Sequence, residues 1–309
     1  MSTERMSGPS PLDEDLVRRL VAGQFPRWAG LAVERFASGG TVNAVYRLGA
    51  DMAVRLPLAA GGAGDVALER EWLPRLAALL PTPIPEVLGA GEPAEGYPWP
   101  WSVYRWRAGA NPEAGALSEP VALAGDLAGF VASMRGITLP GAPTAHRSGP
   151  LSSLDAETRA AIGRLRGIPE EGVDCDAAAA VWEEALRAPD WDGSPVWLHA
   201  DLMPGNLLVE AGRLTSVIDF GCAGVGDPAC DLFPAWNLLP AGGAREVFRE
   251  ALGVDDATWI RGRARTLSQA LIALPYYRRT NPAMAGNARH VIGAVLGETG
   301  RNVLPASSR

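Results

Sequence analysis

Lysine is missing from this 309-residue chain, so all 28 residues of its Lys+Arg total are arginines. Any side-chain cation set against a phosphate or carboxylate is therefore a planar guanidinium fork or an imidazolium, not an ammonium point charge. Cysteine is scarce too. Cys175, Cys222 and Cys230 lack metal-ligand spacing and cannot all pair, so they read as reduced thiols, with Cys222 a small space-filling residue. No apolar run approaches the ~20 residues of a membrane-spanning helix, and the opening MSTERMSGPSPLDEDL has no signal-peptide core. The expectation is a cytoplasmic protein without a membrane partner. The arginines form no stripe and the net charge is -7, which disfavours nucleic acid. An acidic balance suits a cationic small molecule. The sequence shows no internal repeat and no low-complexity tail beyond the last few residues.

What is present is ordinary globular material, 47% hydrophobic and 20% charged, in a chain long enough for two substantial cores. Its most informative stretch is Trp197 to Asp231, WLHADLMPGNLLVEAGRLTSVIDFGCAGVGDPACD. Apolar runs at 195–198, 207–209 and 214–218 read as strands, with a hairpin between the last two. Asp201, Asn206 and Asp219 then fall on loops at strand ends. Any one of them alone would pass for a turn residue or a cap. Together they supply what phosphoryl transfer from a nucleotide needs: a carboxylate for an acceptor hydroxyl, and oxygen ligands for Mg2+ beside the triphosphate. Met203-Pro204-Gly205 reads as a tight bend between Asp201 and Asn206. Asp227 before Pro228 has the form of a helix N-cap with Pro at the first position, and Asp231 is a candidate brace for the loop at 199–206.

The N-terminal half reads as strand, Gly-Gly turn, strand (44–48) and a third strand (52–56) that carries one charge, Arg55. Helical patterns follow at 65–80, 117–135, 154–165, 176–188, 228–239, 244–252, 256–274 and 283–296, with a leading helix at 13–24. Pro98 and Pro100 keep 97–100 out of a strand interior, so the next strand begins at Trp101 and runs through Val103 to Trp106.

HADLMPGN at 199–206 and IDFG at 218–221 resemble the catalytic loop and Mg2+ motif of the aminoglycoside phosphotransferase family. Supporting matches are SGGTVNAVYRLG (38–49), MAVRLP (52–57), YPWPWSVYRW (97–106), GDPACDL (226–232) and LPYYRRTNP (274–282). The resemblance implies an α+β, bilobal, protein-kinase-like fold: an N-lobe of antiparallel sheet plus helix at 1–106 that binds nucleotide, and a mostly helical catalytic C-lobe at 107–309. It implies a Mg2+-dependent transfer of the γ-phosphoryl group of ATP or GTP to a hydroxyl of a small molecule. Asp201 would be the base or the carboxylate that orients that hydroxyl, and Asn206 and Asp219 would hold the metal. Ser38 and Thr41 on the glycine turn, Arg55, Glu69 and Tyr104 would form the nucleotide set, with main-chain groups at 104–106 facing the purine. Glu69 stands three residues before Trp-Leu-Pro and is the implied partner of Arg55, whereas Glu71 is a solvated acid. His199 is structural, and His146 and His290 lie on the surface. Trp182, Glu183, Glu184, Asp190, Asp192, Asp231, Tyr276 and Tyr277 are candidates for an acceptor pocket.

Arg55 departs from the general kinase pattern, which has lysine on that strand. The departure keeps a nucleotide-binding pseudokinase open as an alternative. A protein kinase is the other alternative, but only about ten residues separate Asp219 from Asp231 and no Ala-Pro-Glu follows, which leaves no room for a long activation loop.

Overall fold

The computed structural model describes residues 12–37 and 42–299, and these fall into two compact units. One takes in the described residues up to Ala110 together with Thr215–Cys222. The other comprises 111–214 and the described residues from Ala223 onward.

In the first unit, helix α1 (Glu14–Gln24) starts at Asp13, whose carboxylate caps the Leu16 N–H at 2.8 Å. Strands β1 (Val33–Phe36), β2 (Asn43–Leu48) and β3 (Met52–Pro57) follow, then helix α2 (Ala60–Ala77), β4 (Val87–Gly91) and β5 (Trp101–Arg105). The five strands form one antiparallel sheet ordered β1-β2-β3-β5-β4. Period-2 alternation sorts its faces. Tyr46, Leu48, Val54, Leu56 and Val103 are buried with Leu16, Val17, Leu20 and Val21 of α1 in one core. On the other face Val45 pairs with Arg55, one diagonal step from Asn43.

Helix α2 starts five residues before the expected Asp65 and ends at Ala77, not Leu80. Glycines at 61, 62 and 64 hid that start. At Gly62 a side chain would come within 3.1 Å of Pro57 and 3.2 Å of Val42, so a small residue lets the first turn pack closely. The buried stripe is Val66, Glu69, Trp72, Leu73 and Leu76, while Leu79 is exposed. Strand β4 was not anticipated, and its own two glycines explain why. A β-carbon on Gly91 would sit 2.1 Å from the Trp101 ring, and one on Gly89 would sit 2.9 Å from Phe25 and Trp28.

The second unit contains α3 (Pro120–Arg135), α4 (Asp155–Arg166), α5 (Cys175–Ala185), β6 (Val196–Leu198), β7 (Leu207–Glu210), β8 (Arg213–Val217, entering the first unit at Thr215) and β9 (Gly224–Gly226). Then come α6 (Pro234–Asn237), α7 (Gly243–Leu252), α8 (Asp256–Tyr277) and α9 (Pro282–Thr299). Strand β6 pairs with β9, and β7 with β8. α8 packs on α4, α5 and α9, and α3 on α7. The single helix expected over 228–239 is instead a 3-10 turn at Pro228–Leu232 followed by α6, broken by non-helical geometry at Asp231 (φ -94°, ψ 17°). Among the described residues no helix is long and apolar enough to cross a membrane.

Candidate functional site

The first unit assembles a charged cluster around Arg55. Alternation along β3 turns Arg55 away from the apolar core, where its side chain is 15% exposed. One guanidinium nitrogen, Nη1, donates to both Glu69 oxygens at 2.8 and 3.0 Å, and Nη2 donates to Asp219 Oδ1 at 2.5 Å. With its amide oxygen turned toward the guanidinium, Asn43 accepts from Nε at 3.0 Å and Nη2 at 2.8 Å. Burial alone would lower the Arg55 pKa, but Glu69 and then Asp219 more than offset it, and the group is raised above its ordinary value.

Glu69, 1% exposed, is the hub. Besides Arg55 it accepts from the Phe220 N–H at 2.9 Å and from the Tyr104 hydroxyl. The expected ion pair with Glu69 is present, and Glu71 pairs instead with Arg75 at the surface. The Tyr104 side chain supports this hub from beneath, and burial followed by the Glu69 charge raises its pKa. The N–H groups of Arg105 and Trp106 are taken by the Glu86 and Asp51 carbonyls.

Asp219 adopts a left-handed backbone (φ 66°), which Asp tolerates better than most side chains. Its side chain is 40% exposed. The segment leading to it is tied to Pro83, whose carbonyl accepts from the Val217 N–H at 3.2 Å and the Ser216 hydroxyl at 2.8 Å. Gly221 then passes close to Asp65, so that a β-carbon there would lie 2.8 Å from the Asp65 β-carbon. Burial and then the neighbouring Asp219 charge raise the Asp65 pKa. Ser38 and Thr41 lie outside the described residues.

The second unit holds the loop at 199–206. Asp231, fully buried, accepts from the His199 N–H at 2.9 Å and the Ala200 N–H at 2.7 Å, so the expected brace is there. These bonds hold Ala200 at φ 63°, a conformation that costs a non-glycine residue roughly 1–2 kcal/mol. His199, also fully buried, accepts the Asp201 N–H on Nδ1 at 3.3 Å, a structural role. Asn206 Nδ2 donates to the Asp201 carbonyl at 2.8 Å and to Asp201 Oδ2 at 2.9 Å, which commits its nitrogen and leaves Oδ1 as the atom suited to a cation.

One partner of this loop, and two partners of Asp227, escaped sequence reasoning. Asn111 Nδ2 donates to the Gly205 and Leu207 carbonyls at 2.9 and 2.8 Å, a contact between residues 94 and 96 positions apart. Asp227 caps Ala229 as expected, but it also receives buried Arg261 (2.9 Å) and Arg265 (3.2 Å) from α8. A polar pattern on one face of α8 was the available signal.

A cavity of about 60 Å³ adjoins Asp201. None of the acids and aromatics expected for an acceptor pocket lines it. Trp182 is core and donates to Asp155 at 2.8 Å, Glu184 pairs with Arg263, Asp231 is spent on the loop, and Tyr276 is exposed. His146, an exposed residue as expected, is among the residues that do line it. His290 is exposed as well.

The profile of the phosphotransferase enzyme family, APH, matches residues 33–267. An aminoglycoside 3'-phosphotransferase of Escherichia coli is 35% identical over 88 residues, a stretch that spans 24% of this chain and 32% of that relative. Among solved structures, the GDP and kanamycin complex of APH(2")-IIia is similar with a TM-score of 0.73 at 20% identity, covering 93% of this chain and 99% of that one. The macrolide 2'-phosphotransferase MphH apoenzyme from Brachybacterium faecium gives 0.61 at 21%, covering 97% and 100%. The antiparallel N-terminal sheet and helical C-terminal part agree with these kinase-like neighbours. On the match over most of its length, the chain belongs to the phosphotransferase enzyme family.

Proposed function

We propose that the protein is a small-molecule kinase that transfers the γ-phosphoryl group of ATP or GTP to a hydroxyl of a small acceptor. The observation that carries the reading is the Asp201 loop. A buried carboxylate, two backbone amides and a strained alanine hold the Asp201 main chain, and Asn206 fixes its carboxylate beside a cavity. Such pre-organisation suits a group that must meet a hydroxyl in one orientation. GDP in the complex of one structural neighbour and ADP in that of another support a nucleotide cosubstrate.

In this reading residues 1–106 bind nucleotide and 107–309 carry the acceptor. Mg2+ fits the donor set, since Asn206 Oδ1 and the Asp219 carboxylate are hard oxygen ligands of the kind it prefers. When bound, the metal offsets charge on the phosphates. Arg55, held by Glu69, would offer its guanidinium to a phosphate oxygen, and Asn206 and Asp219 would hold the cation. A guanidinium can make that contact with two nitrogens. Ser38 and Thr41 belong to the proposed phosphate turn and Tyr104 steadies Glu69, while the N–H groups of Arg105 and Trp106, spent on the Glu86 and Asp51 carbonyls, are not available to a purine. Asp201 orients the acceptor hydroxyl and takes its proton as the phosphoryl group moves.

The test separates the two carboxylates. Asp201→Asn is expected to cut transfer about a thousandfold while nucleotide still binds. Asp219→Asn is expected to remove the Mg2+ dependence of nucleotide affinity as well. Calorimetric titration with and without Mg2+, beside a nucleotide-consumption assay on a panel of hydroxylated compounds, reads both. Equal, mild losses from the two substitutions would sink the assignment.

A further inference from the structure

We infer that the cavity beside Asp201 takes a small hydroxylated acceptor that carries an anionic group, a carboxylate or a phosphate, and that it selects against polyamines. The inference rests on the reading above and names its acceptor class. A polyamine needs several carboxylates around it to replace the water its ammonium groups lose. Among the described residues lining this cavity, Asp201 is the one carboxylate. The other polar groups of the lining are His146, Arg147, Arg265, Ser268 and Gln269, a set dominated by donors.

The two arginines are built in by the fold. Arg265 on α8 is 3% exposed. Its Nη1 donates to the Arg147 carbonyl at 2.7 Å and its Nη2 to the Gly149 carbonyl at 2.5 Å. Those bonds hold Arg147 in a left-handed backbone conformation (φ 54°). Strain of this sort persists where surrounding structure over-determines it, and it clusters at functional positions. Arg147 thereby sits on the cavity wall with its side chain 29% exposed.

Charge compensation is incomplete on this wall. Among the described residues Arg265 shares the single Asp227 carboxylate with Arg261, and its buried Nε–H has no acceptor. Among the described residues Arg147 pairs with Glu157 alone, which is half exposed and therefore screened by solvent. An anionic oxygen entering the cavity meets Arg147 on its wall and the charge of Arg265, a guanidinium that shares its one carboxylate with Arg261. A cavity of about 60 Å³ also favours a small acceptor, or one arm of a larger one.

The experiment uses the full chain with ATP or GTP, Mg2+ and matched acceptors: glycerol, glycerate, glycerol 3-phosphate, 3-amino-1,2-propanediol and kanamycin. Glycerate or glycerol 3-phosphate is expected to give kcat/KM at least about tenfold above the amine and kanamycin, a difference of roughly 1.4 kcal/mol. The better of the two acids tells carboxylate from phosphate. Arg147→Gln should raise KM for the acid about tenfold, leave kcat and nucleotide affinity within about twofold, and be rescued by Arg147→Lys; the tenfold rise again equals roughly 1.4 kcal/mol. Kanamycin or the amine performing as well as the acids overturns the inference alone. So does persistence of slow Asp201-dependent nucleotide hydrolysis that neither acid alters. Failure to bind nucleotide or to show any Asp201-dependent turnover overturns the proposed function itself, and this inference with it.

Discussion

Replacing Asp231 by alanine tests the link from buried structure to chemistry within one unit. The carboxylate is fully buried and accepts two backbone N–H groups, at 2.9 and 2.7 Å. Hydrogen bonds to a charged acceptor contribute about 1.5–3 kcal/mol each, and each amide left without a partner adds a desolvation penalty. Burial offsets part of this by raising the Asp231 pKa, so the lower end applies, about 3–4 kcal/mol in all. For a unit of this size that equals a fall in Tm of about 10 °C. Asp231→Asn keeps one acceptor but sets an NH2 against the second amide, so about half the loss is expected. Without the brace, Ala200 can leave its left-handed conformation, and Asp201 moves with it. A misplacement of about 1 Å costs roughly a hundredfold in kcat, while KM for nucleotide holds within about twofold. Thermal melts followed by circular dichroism, with steady-state kinetics on the folded fraction, measure all three quantities. A Tm change below about 2 °C with unaltered kcat would refute the reasoning.

In the first unit, Glu69→Ala leaves Arg55 short of a partner and strips the Tyr104 hydroxyl and Phe220 N–H of their acceptor. A loss of about 3–5 kcal/mol is expected by urea denaturation, and nucleotide affinity should fall more than tenfold; a loss below about 1 kcal/mol counts against the hub. Asp65→Asn should show a pH signature. Below about pH 4 the carboxyl is protonated folded or unfolded and contributes no difference; as pH rises through its raised folded value, the ionised form must sit beside Asp219 and stability falls. The variant is therefore expected to melt higher than the parent at pH 7 and level with it at pH 3.5, and a gain confined to low pH would contradict the linkage. Burial pushes the Cys230 thiol up to about 12, so iodoacetamide at pH 8 should leave it unlabelled in the native protein and reach it only after unfolding, as peptide mapping will show.

Several elements were legible because their causes are local. Asp13, Asp174 and Asp255 cap α1, α5 and α8 through their own side chains, a signal written within three residues of each cap. Reading 52–56 as a strand made Arg55 its one charge, and the Arg55–Glu69 pair followed from the family's spacing. Elsewhere the cause lies far off in the chain. Gly-rich β4 and β9 look like turns, yet their glycines make room for Trp101, for Phe25 with Trp28, and for the 143–145 segment. The break at Asp231 arises because its carboxylate binds amides 31 and 32 positions earlier.

The amino-acid sequence by itself determined the chemical inventory: the carboxylates and amide proposed for phosphoryl transfer, the guanidinium that stands where lysine would, and most of the helices and strands, all of which depend on residue type and short-range spacing. Tertiary structure alone decided which groups surround them. Asn43 and Asn111 became partners of Arg55 and of the loop at 199–206, Asp231 was turned inward as a brace, and Arg147 and Arg265, not the expected acids, came to line the cavity. The physical reason is that a hydrogen bond or an ion pair depends on distance in space, and packing joins residues whose separation along the chain carries no trace of the contact.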